Sequence, residues 1–533
     1  MTNDILVSAI VFLPLIGVLP VMLMPKAREQ QIKWVTLGFM IVAFALGLLL
    51  LATYDPSNPN LQHVDKIPWI SLGKAQINYY VGVDGLSLLL VLLTLLIMPL
   101  AVLFSLYSVK ERIRLYYAFM LVLEFAMIGV FVAHDLFLFF VFWELSLIPM
   151  YFIVGIWGAE QRIYAALKLF LYTMAGSLLM LLAILYIGAR FNTFDVQYII
   201  AQVQAAGPGA SFFGGPTVEA LLFLGFFAAF AVKVPIWPLH SWLPDAHVQA
   251  PTAGSVILAG VMLKLGTYGL IRFCLGLFPN AAIAFAPYIA VLAIIGIIYG
   301  AWVSYAQSDV KKLVAYSSIS HLGFVVLGIF AIAKVDPNGF SAHAAGLNGA
   351  TLQMINHGIS TGGLFLLVGM LYERRHTKAI NAFGGIWKVL PIFSGLSLLI
   401  TLSSMGLPGL NGFIGEFTIL LGTFGSTILG PIFAAAATLG VILAAVYLLY
   451  MWNKVFMGEV THDENNHLPP LRWNETLALV IVVIFALLIG LFPGPFFGTM
   501  DKSNQQLAAN TARFIPDQNN QSARLEIGQG NTQ

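Results

Sequence analysis

Charge is scarce in this chain. Of its 533 residues only 9% are Asp, Glu, Lys or Arg, against roughly 25% in a soluble domain. The 26 basic and 24 acidic residues leave a formal net charge of +2, spread over loops, which gives no reason to expect a nucleic acid partner. Cysteine is scarcer still. Cys274 stands alone, which excludes an internal disulfide, a thiolate cluster or an iron–sulfur centre held by this chain. There is no G-x-G-x-x-G or P-loop for a nucleotide. The histidines are dispersed and form no H-E-x-x-H, so neither a metal site nor a resident cofactor is expected.

Apolar residues fill the space that charge leaves. They make up 59% of the sequence, and mean hydropathy is +0.87. Stretches of ~17–25 apolar residues, the length needed to cross a bilayer, number about fourteen. Their centres lie near residues 15, 43, 96, 124, 146, 177, 232, 264, 293, 321, 360, 407, 440 and 485, with the seventh and twelfth interrupted. The fold class expected is an all-α, multi-pass membrane protein. The first run follows Asp4 without a basic stretch and reads as a retained span rather than a signal peptide. Between runs lie a polar loop near 53–83 with possible short strands and an amphipathic piece near 194–204. From Gly498 on, the chain is polar and rich in Asn and Gln, and disorder is expected there.

Basic residues gather after odd-numbered spans: Lys26, Arg28 and Lys33; Lys110, Arg112 and Arg114; Arg162; Lys311 and Lys312; Arg374, Arg375 and Lys378. The positive-inside rule turns those loops to the cytoplasm. With an even number of spans, both termini then face the other side.

Against this background a few titratable groups stand inside apolar runs: Glu144, Lys233, Lys264 and Glu416. An ionised side chain at mid-bilayer costs at least ~2.5–3.5 kcal/mol. Accepting that cost repeatedly, with both signs, points to groups that exchange protons or ions. Lys233 opens the stretch KVPIWPLHSWLPDAH. Pro235, Pro238 and Pro244 remove N–H donors and release the carbonyls of Ala231, Val234 and His240. Free carbonyls in a bilayer need protein or water, so a small hydrated cavity is expected beside Lys233, flanked by His240 and His247. A kink used for packing alone leaves Lys233 unexplained. The second break, MGLPGLNGFIGE, carries Pro408 and precedes Glu416, where the positive end of a half-helix favours a carboxylate. Lys233 is the candidate ion-pair partner of Glu144. His321 and His357, among serines and asparagines at mid-span, suit a proton relay between the charged groups. Lys168 and Glu124 also lie in apolar runs, with a structural role equally open to them.

A faint repeat links the halves. Lys233 and Glu416 are 183 positions apart, each beside a Gly/Pro break; Tyr172 and His357 are 185 apart. That shift equals five spans, an odd number, so the second copy is inverted. The expected organisation is residues 1–112 with three spans and 113–278 with a first group of five, broken near 233–244. Residues 279–455 form a second, inverted group broken near 405–412, followed by a C-terminal helix in 456–497 and a polar tail in 498–533.

FWELSLIPMYFIVGIWG, AVKVPIWPLHSWLPDAHVQAPTAGSVILAGVMLKLG, KKLVAYSSISHLGFV and GLPGLNGFIGEF resemble the antiporter-like membrane subunits of respiratory complex I, NADH:quinone oxidoreductase. Within that family the M type is most similar, because Glu416 stands where the L and N types and Mrp-type antiporters usually carry lysine. The chain also ends without the long lateral helix of L-type subunits. The resemblance implies fourteen transmembrane helices with two inverted five-helix repeats. It makes Glu144 and Lys233 the paired groups of the first half, Lys264 the central lysine, His321 and His357 relay histidines, and Glu416 the terminal acid near the exit. The implied activity is proton translocation coupled to quinone reduction, with no redox centre in this chain. NADH (or ferredoxin), FMN, iron–sulfur clusters and quinone are expected in partner subunits. L- and N-type subunits are the expected neighbours, and a bacterial inner membrane the expected location. The alternative is a subunit of an Mrp-type sodium/proton antiporter. Sodium needs clustered oxygen ligands, and these midplane groups are rich in lysine.

Overall fold

A computed structural model describes residues 4–209, 212–335, 339 and 341–516. Helices α1 (Ile5–Leu23), α2 (Lys26–Thr53) and α3 (Gly85–Ser108) come first. A group of five follows: α4 (Ile113–Val132), α5 (Leu136–Trp157), α6 (Arg162–Phe191), α8 (Pro216–Lys233) with the short α9 (Trp242–Gln249) beyond its break, and α10 (Thr252–Leu275). The amphipathic α7 (Val196–Ala206) lies between α6 and α8, at the position expected from the sequence. A second five is α11 (Pro279–Tyr305), α12 (Val310–Ile329), α13 (Ala342–Arg375), the pair α14 (Pro391–Met405) and α15 (Asn411–Phe424), and α16 (Pro431–Phe456). Then come α17 (Trp473–Leu491) and α18 (Gly494–Ala512). Among the described residues thirteen helices are long and apolar enough to cross a membrane. The α14–α15 pair supplies the broken fourteenth. Helices are the form a chain takes where no water is at hand to satisfy its amide groups.

Burial is uneven, and that places the site. α10 and α13 are buried along their whole apolar length, while α1, α2 and α16 turn most of theirs outward. The innermost helices are also those with the polar side chains: α13 buries Gln353, Asn356, His357, Ser360 and Thr361. Short polar residues cap the inner helices. Asp84 and Ser87 form a reciprocal capping box at the start of α3, and Asp135, Asp309 and Ser341 cap α5, α12 and α13.

The strands expected in the polar loop near 53–83 are present, and longer than expected: β1 (Gln62–Leu72) and β2 (Ala75–Val83) form an antiparallel hairpin, turned at Gly73, whose φ of +62° suits a residue without Cβ. Two expectations need correction. The tail from Gly498 is not disordered throughout: α18 runs to Ala512 and packs on α3 and α13. Its polar residues are used inward. Ser503 accepts from Gly85 N at 3.1 Å, and Asn504 donates to Asn348 at 2.8 Å. Residues 517–533 lie outside the described part. Lastly, two of the three carbonyls released by the prolines after Lys233 are not left free. Ala231 O accepts from Ile236 N at 2.9 Å and His240 O from Leu243 N at 3.0 Å, because the chain tightens and widens its turns around the break. The cavity at the break is about 10 Å³, lined by Val234, Ile236, Leu292 and Leu322, with room for one water at most. Its lining is apolar, and Lys233 is not part of it.

Candidate functional site

The site begins with an irregularity in α10. Leu258–Met262 and Leu270–Leu275 are wound as π turns, each with one residue more than an α turn. Lys264 follows the first. Its Nζ donates to Ala259 O, five residues back, and lies 2.6 Å from His357 Nδ1 on α13. The widened turn thus supplies the acceptor that holds a buried ammonium, and directs it at the imidazole.

From His357 the polar line continues to α12. The ring centroids of His357 and His321 are 6.0 Å apart. His321 Nδ1 is 2.8 Å from Glu416 Oε1, and its Nε2 meets the Tyr447 hydroxyl of α16 at 3.1 Å. Gln353, one turn before His357, donates to the same Glu416 oxygen at 3.0 Å. Four helices therefore contribute to one line: Lys264, His357, His321, Glu416.

Glu416 sits in the second turn of α15, just past the break at residues 406–410 that contains Pro408. Gly406 holds a left-handed φ of +81° there. A Cβ on it would stand 3.2 Å from Glu416 Oε2, so the break makes room for the carboxylate. The break is braced by Asn356 Nδ2 donating to Asn411 O at 2.7 Å and by a Ser403 hydroxyl bond to the Asn411 side chain.

The first half is built differently from expectation. Lys233 ends α8, and its ammonium lies 5.2 Å from the ring centroid of Trp143, a cation–π contact. No ion pair joins it to Glu144, which remains within Coulombic reach with Oε1 unbonded. Trp143 and Glu144 are consecutive on α5 and point ~100° apart; the ring lies in contact with the ammonium, and the carboxylate acts on it across a longer distance. Trp143 is itself fixed by Nε1 donating to Ser177 Oγ at 2.9 Å.

The remaining predicted residues separate. His247 is buried, stacked on Phe365 at 4.4 Å, with both ring nitrogens unbonded, and it feels the charges of Lys311 and Lys264. Lys311 in turn donates to Ala250 O at 2.6 Å and lines a cleft of about 420 Å³ with Lys110, Glu111, Arg162, Glu373 and Lys378, on the face of the basic loops. His240 packs edge-on against Tyr299 and takes no place in the line. Lys168 pairs with Asp245 at 2.7 Å, tying α6 to α9. Glu124 is fully buried with both oxygens unbonded. Pro235 and Pro238 form the turn between α8 and α9.

Gln353 and Tyr447 went unnoticed in the sequence. Gln353 had a signal, a polar residue four positions before His357 and so on the same helical face. Tyr447, in an ordinary aromatic-containing run, had none.

The family model described as "NADH:quinone oxidoreductase/Mrp antiporter, TM" matches residues 133–457. A protein of Rhodobacter capsulatus named NADH-quinone oxidoreductase subunit M is 44% identical over 92% of this chain and 93% of its own. A chain of respiratory complex I from Thermus thermophilus, solved with bound NADH, superposes with a TM-score of 0.82 at 32% identity, covering 96% of this chain and 100% of that one. A chain of the Mrp complex from Dietzia, at 22% identity and TM-score 0.76 over 96% of this chain and 52% of that one, shares the fold. This chain belongs to the NADH:quinone oxidoreductase/Mrp antiporter transmembrane family.

Proposed function

We propose that this chain is the M-type, antiporter-like subunit of a proton-translocating NADH:quinone oxidoreductase, and that Glu144, Lys233, Lys264, His357, His321 and Glu416 carry its protons. The observation behind this reading is the line Lys264–His357–His321–Glu416, joined at 2.6 Å, across facing imidazoles, and at 2.8 Å. A lysine, two imidazoles and a carboxylate can each bind and release a proton, and none needs a redox group to do so. The cleft at Lys311 and the unbonded His247 lead from the basic face toward Lys264, and serve as the uptake side. Glu144 and Lys233 act on each other through space, so protonating one changes the proton affinity of the other.

The broken helices support two inverted repeats, 113–278 and 279–455: each is the fourth spanning helix of its five. The basic loops then face the cytoplasm of a bacterial inner membrane, with both termini opposite. L- and N-type subunits are the membrane neighbours, and FMN, iron–sulfur clusters and quinone belong to other subunits of the complex.

The test is the purified complex in proteoliposomes, with NADH-driven acidification read by an entrapped dye. K264A is expected to abolish the share of pumping due to this chain while assembly is preserved. Undiminished protons per electron would refute the relay. Full pumping in sodium-free buffer separates this reading from the sodium antiporter.

A further inference from the structure

Helices α2 and α17 meet near their starts, where the Trp34 and Trp473 rings stack with centroids 6.2 Å apart and planes within 6°. Further along they lean on different neighbours. α2 packs closely on α3 at Gly47, where a Cβ would stand 2.5 Å from Leu95 Cδ1. α17 packs on α13 at Gly363, where a Cβ would stand 2.7 Å from Val482 Cγ1. Between the two pairs is a cavity of about 240 Å³. Leu48 of α2 and Leu488 of α17 line it while 47% and 43% exposed, and so form its mouth. Leu93 of α3 and Ile355 and Ile359 of α13 are its buried floor. Its one polar side chain is Thr499, whose hydroxyl already donates to Pro495 O at 2.9 Å.

We propose that this cavity is a binding site for one acyl chain of a phospholipid, inserted between α2 and α17. Protein interiors leave few voids larger than a water molecule. An apolar cavity stays dry and takes hydrocarbon guests. The helices around this one are of membrane-spanning length and hydropathy, so lipid chains are the medium at its mouth. A further helix, about 10–12 Å across, is too wide for the space. An extended peptide would bring amide groups to a wall that offers them no partner. Phe44, Leu48 and Leu51 belong to the half of α2 away from its basic start, so the lipid comes from the leaflet opposite the basic loops. Inside, the chain packs against the back of α13. Ile355 and Ile359 stand two residues before and two after His357, which puts them on the opposite side of that helix. Leu93 Cδ2 lies 2.9 Å from the place a Cβ on Gly358 would take, and Gly260 O, in the first π turn of α10, 2.8 Å from it. α13 is thus gripped between α3 and α10 beside His357, with the acyl chain filling the space on the α3 side. The site stands whether or not His357 carries protons.

The experiment places the assembled complex in vesicles of phosphatidylethanolamine and phosphatidylglycerol, doped with a phosphatidylcholine that bears a diazirine near the end of one acyl chain. Irradiation and peptide mass spectrometry are expected to find label on α3 within 89–96 and on α13 within 355–359, besides the outward faces of α1 and α2. Leu48→Trp and Leu488→Trp each set an indole in the mouth from a half-exposed position. Either should lose the α3 and α13 label and keep that on α1. Wild-type complex without label on α3 and α13 overturns the proposal, whether a neighbouring subunit or an isoprenoid tail holds the cavity instead. Label that survives both tryptophan variants overturns it as well. If neither variant assembles, the wild-type label alone decides.

Discussion

Replacing Glu416 by glutamine keeps the shape of the side chain and removes the carboxylate that ends the polar line. Its Oε1 takes two hydrogen bonds, from His321 Nδ1 at 2.8 Å and from Gln353 Nε2 at 3.0 Å. Bonds to a charged acceptor contribute about 1.5–3 kcal/mol each, against about 1 kcal/mol for neutral ones. Of the two bonds only the first bears on a proton at His321, so the exchange removes about 0.5–2 kcal/mol of the pull that draws it there, up to roughly one and a half decades in rate. The amide also cannot take the proton over. E416Q should accordingly assemble at wild-type level, since it leaves no cavity, yet transfer protons through this chain at least about tenfold more slowly. E416D, shorter by one methylene but still titrating, should keep part of the activity. Dye quenching in inverted vesicles, normalised to complex content through an artificial electron acceptor, reads both. Equal proton-to-electron ratios in E416Q and wild type would refute the assignment and leave Glu416 as a brace for the broken helix.

Four further outcomes are expected. Gly406→Ala forces Cβ into a left-handed backbone and toward Glu416 Oε2 at 3.2 Å; about 1–2 kcal/mol of strain should lower the melting temperature of the complex and weaken pumping together. Arg374→Ala breaks a buried two-point pair with Glu475, at 2.6 and 3.0 Å, and should cost about 3–5 kcal/mol. Its readout is less assembled complex in the membrane, with normal activity per complex. Trp143→Ala takes the aromatic face from Lys233 and should impair pumping more than Trp143→Phe, which keeps a ring; equal loss in both would remove the cation–π contact from the account. At the rim, burial pushes the Asp135 carboxyl up to about 6, above its value near 3.9 in an unfolded chain. The folded state then binds more protons between these values. Asp135 stabilises most below pH ~4, and that contribution is lost as pH rises through ~6. Asp135→Asn should flatten this part of the stability–pH curve, as thermal unfolding between pH 4 and 7 would report.

The spans and the charged residues inside them were legible because the bilayer tolerates so little: a lysine at position 264 of an apolar run is conspicuous whatever surrounds it. Both helix breaks were readable from Gly and Pro for the same reason. Other features left no such mark. No residue type announces the π turns on either side of Lys264. The proline argument gave the right break, but it counted lost donors without the turns that rebond two of the three carbonyls. Lys233 was matched to Glu144 by sign; the carboxylate does act on it through its charge, but the group in contact with the ammonium is the Trp143 ring, which sign alone could not indicate. α18 was misread because a polar segment looks disordered until its partners are known, and here Asn348 and Gly85 lie about 150 and 400 positions away in sequence.

The first π turn of α10 also has a meaning for the length of the chain. Wound that way, Leu258–Met262 holds one surplus residue relative to a regular helix. Deleting a single residue there would restore ordinary winding and leave the helix beyond it in phase, so Lys264 would keep its side of α10. What would be lost is the widened turn itself, whose Ala259 carbonyl takes the Lys264 ammonium. The support of the central lysine is thus encoded partly in residue count, and a one-residue gap in this stretch would withdraw it while hydropathy hardly changed.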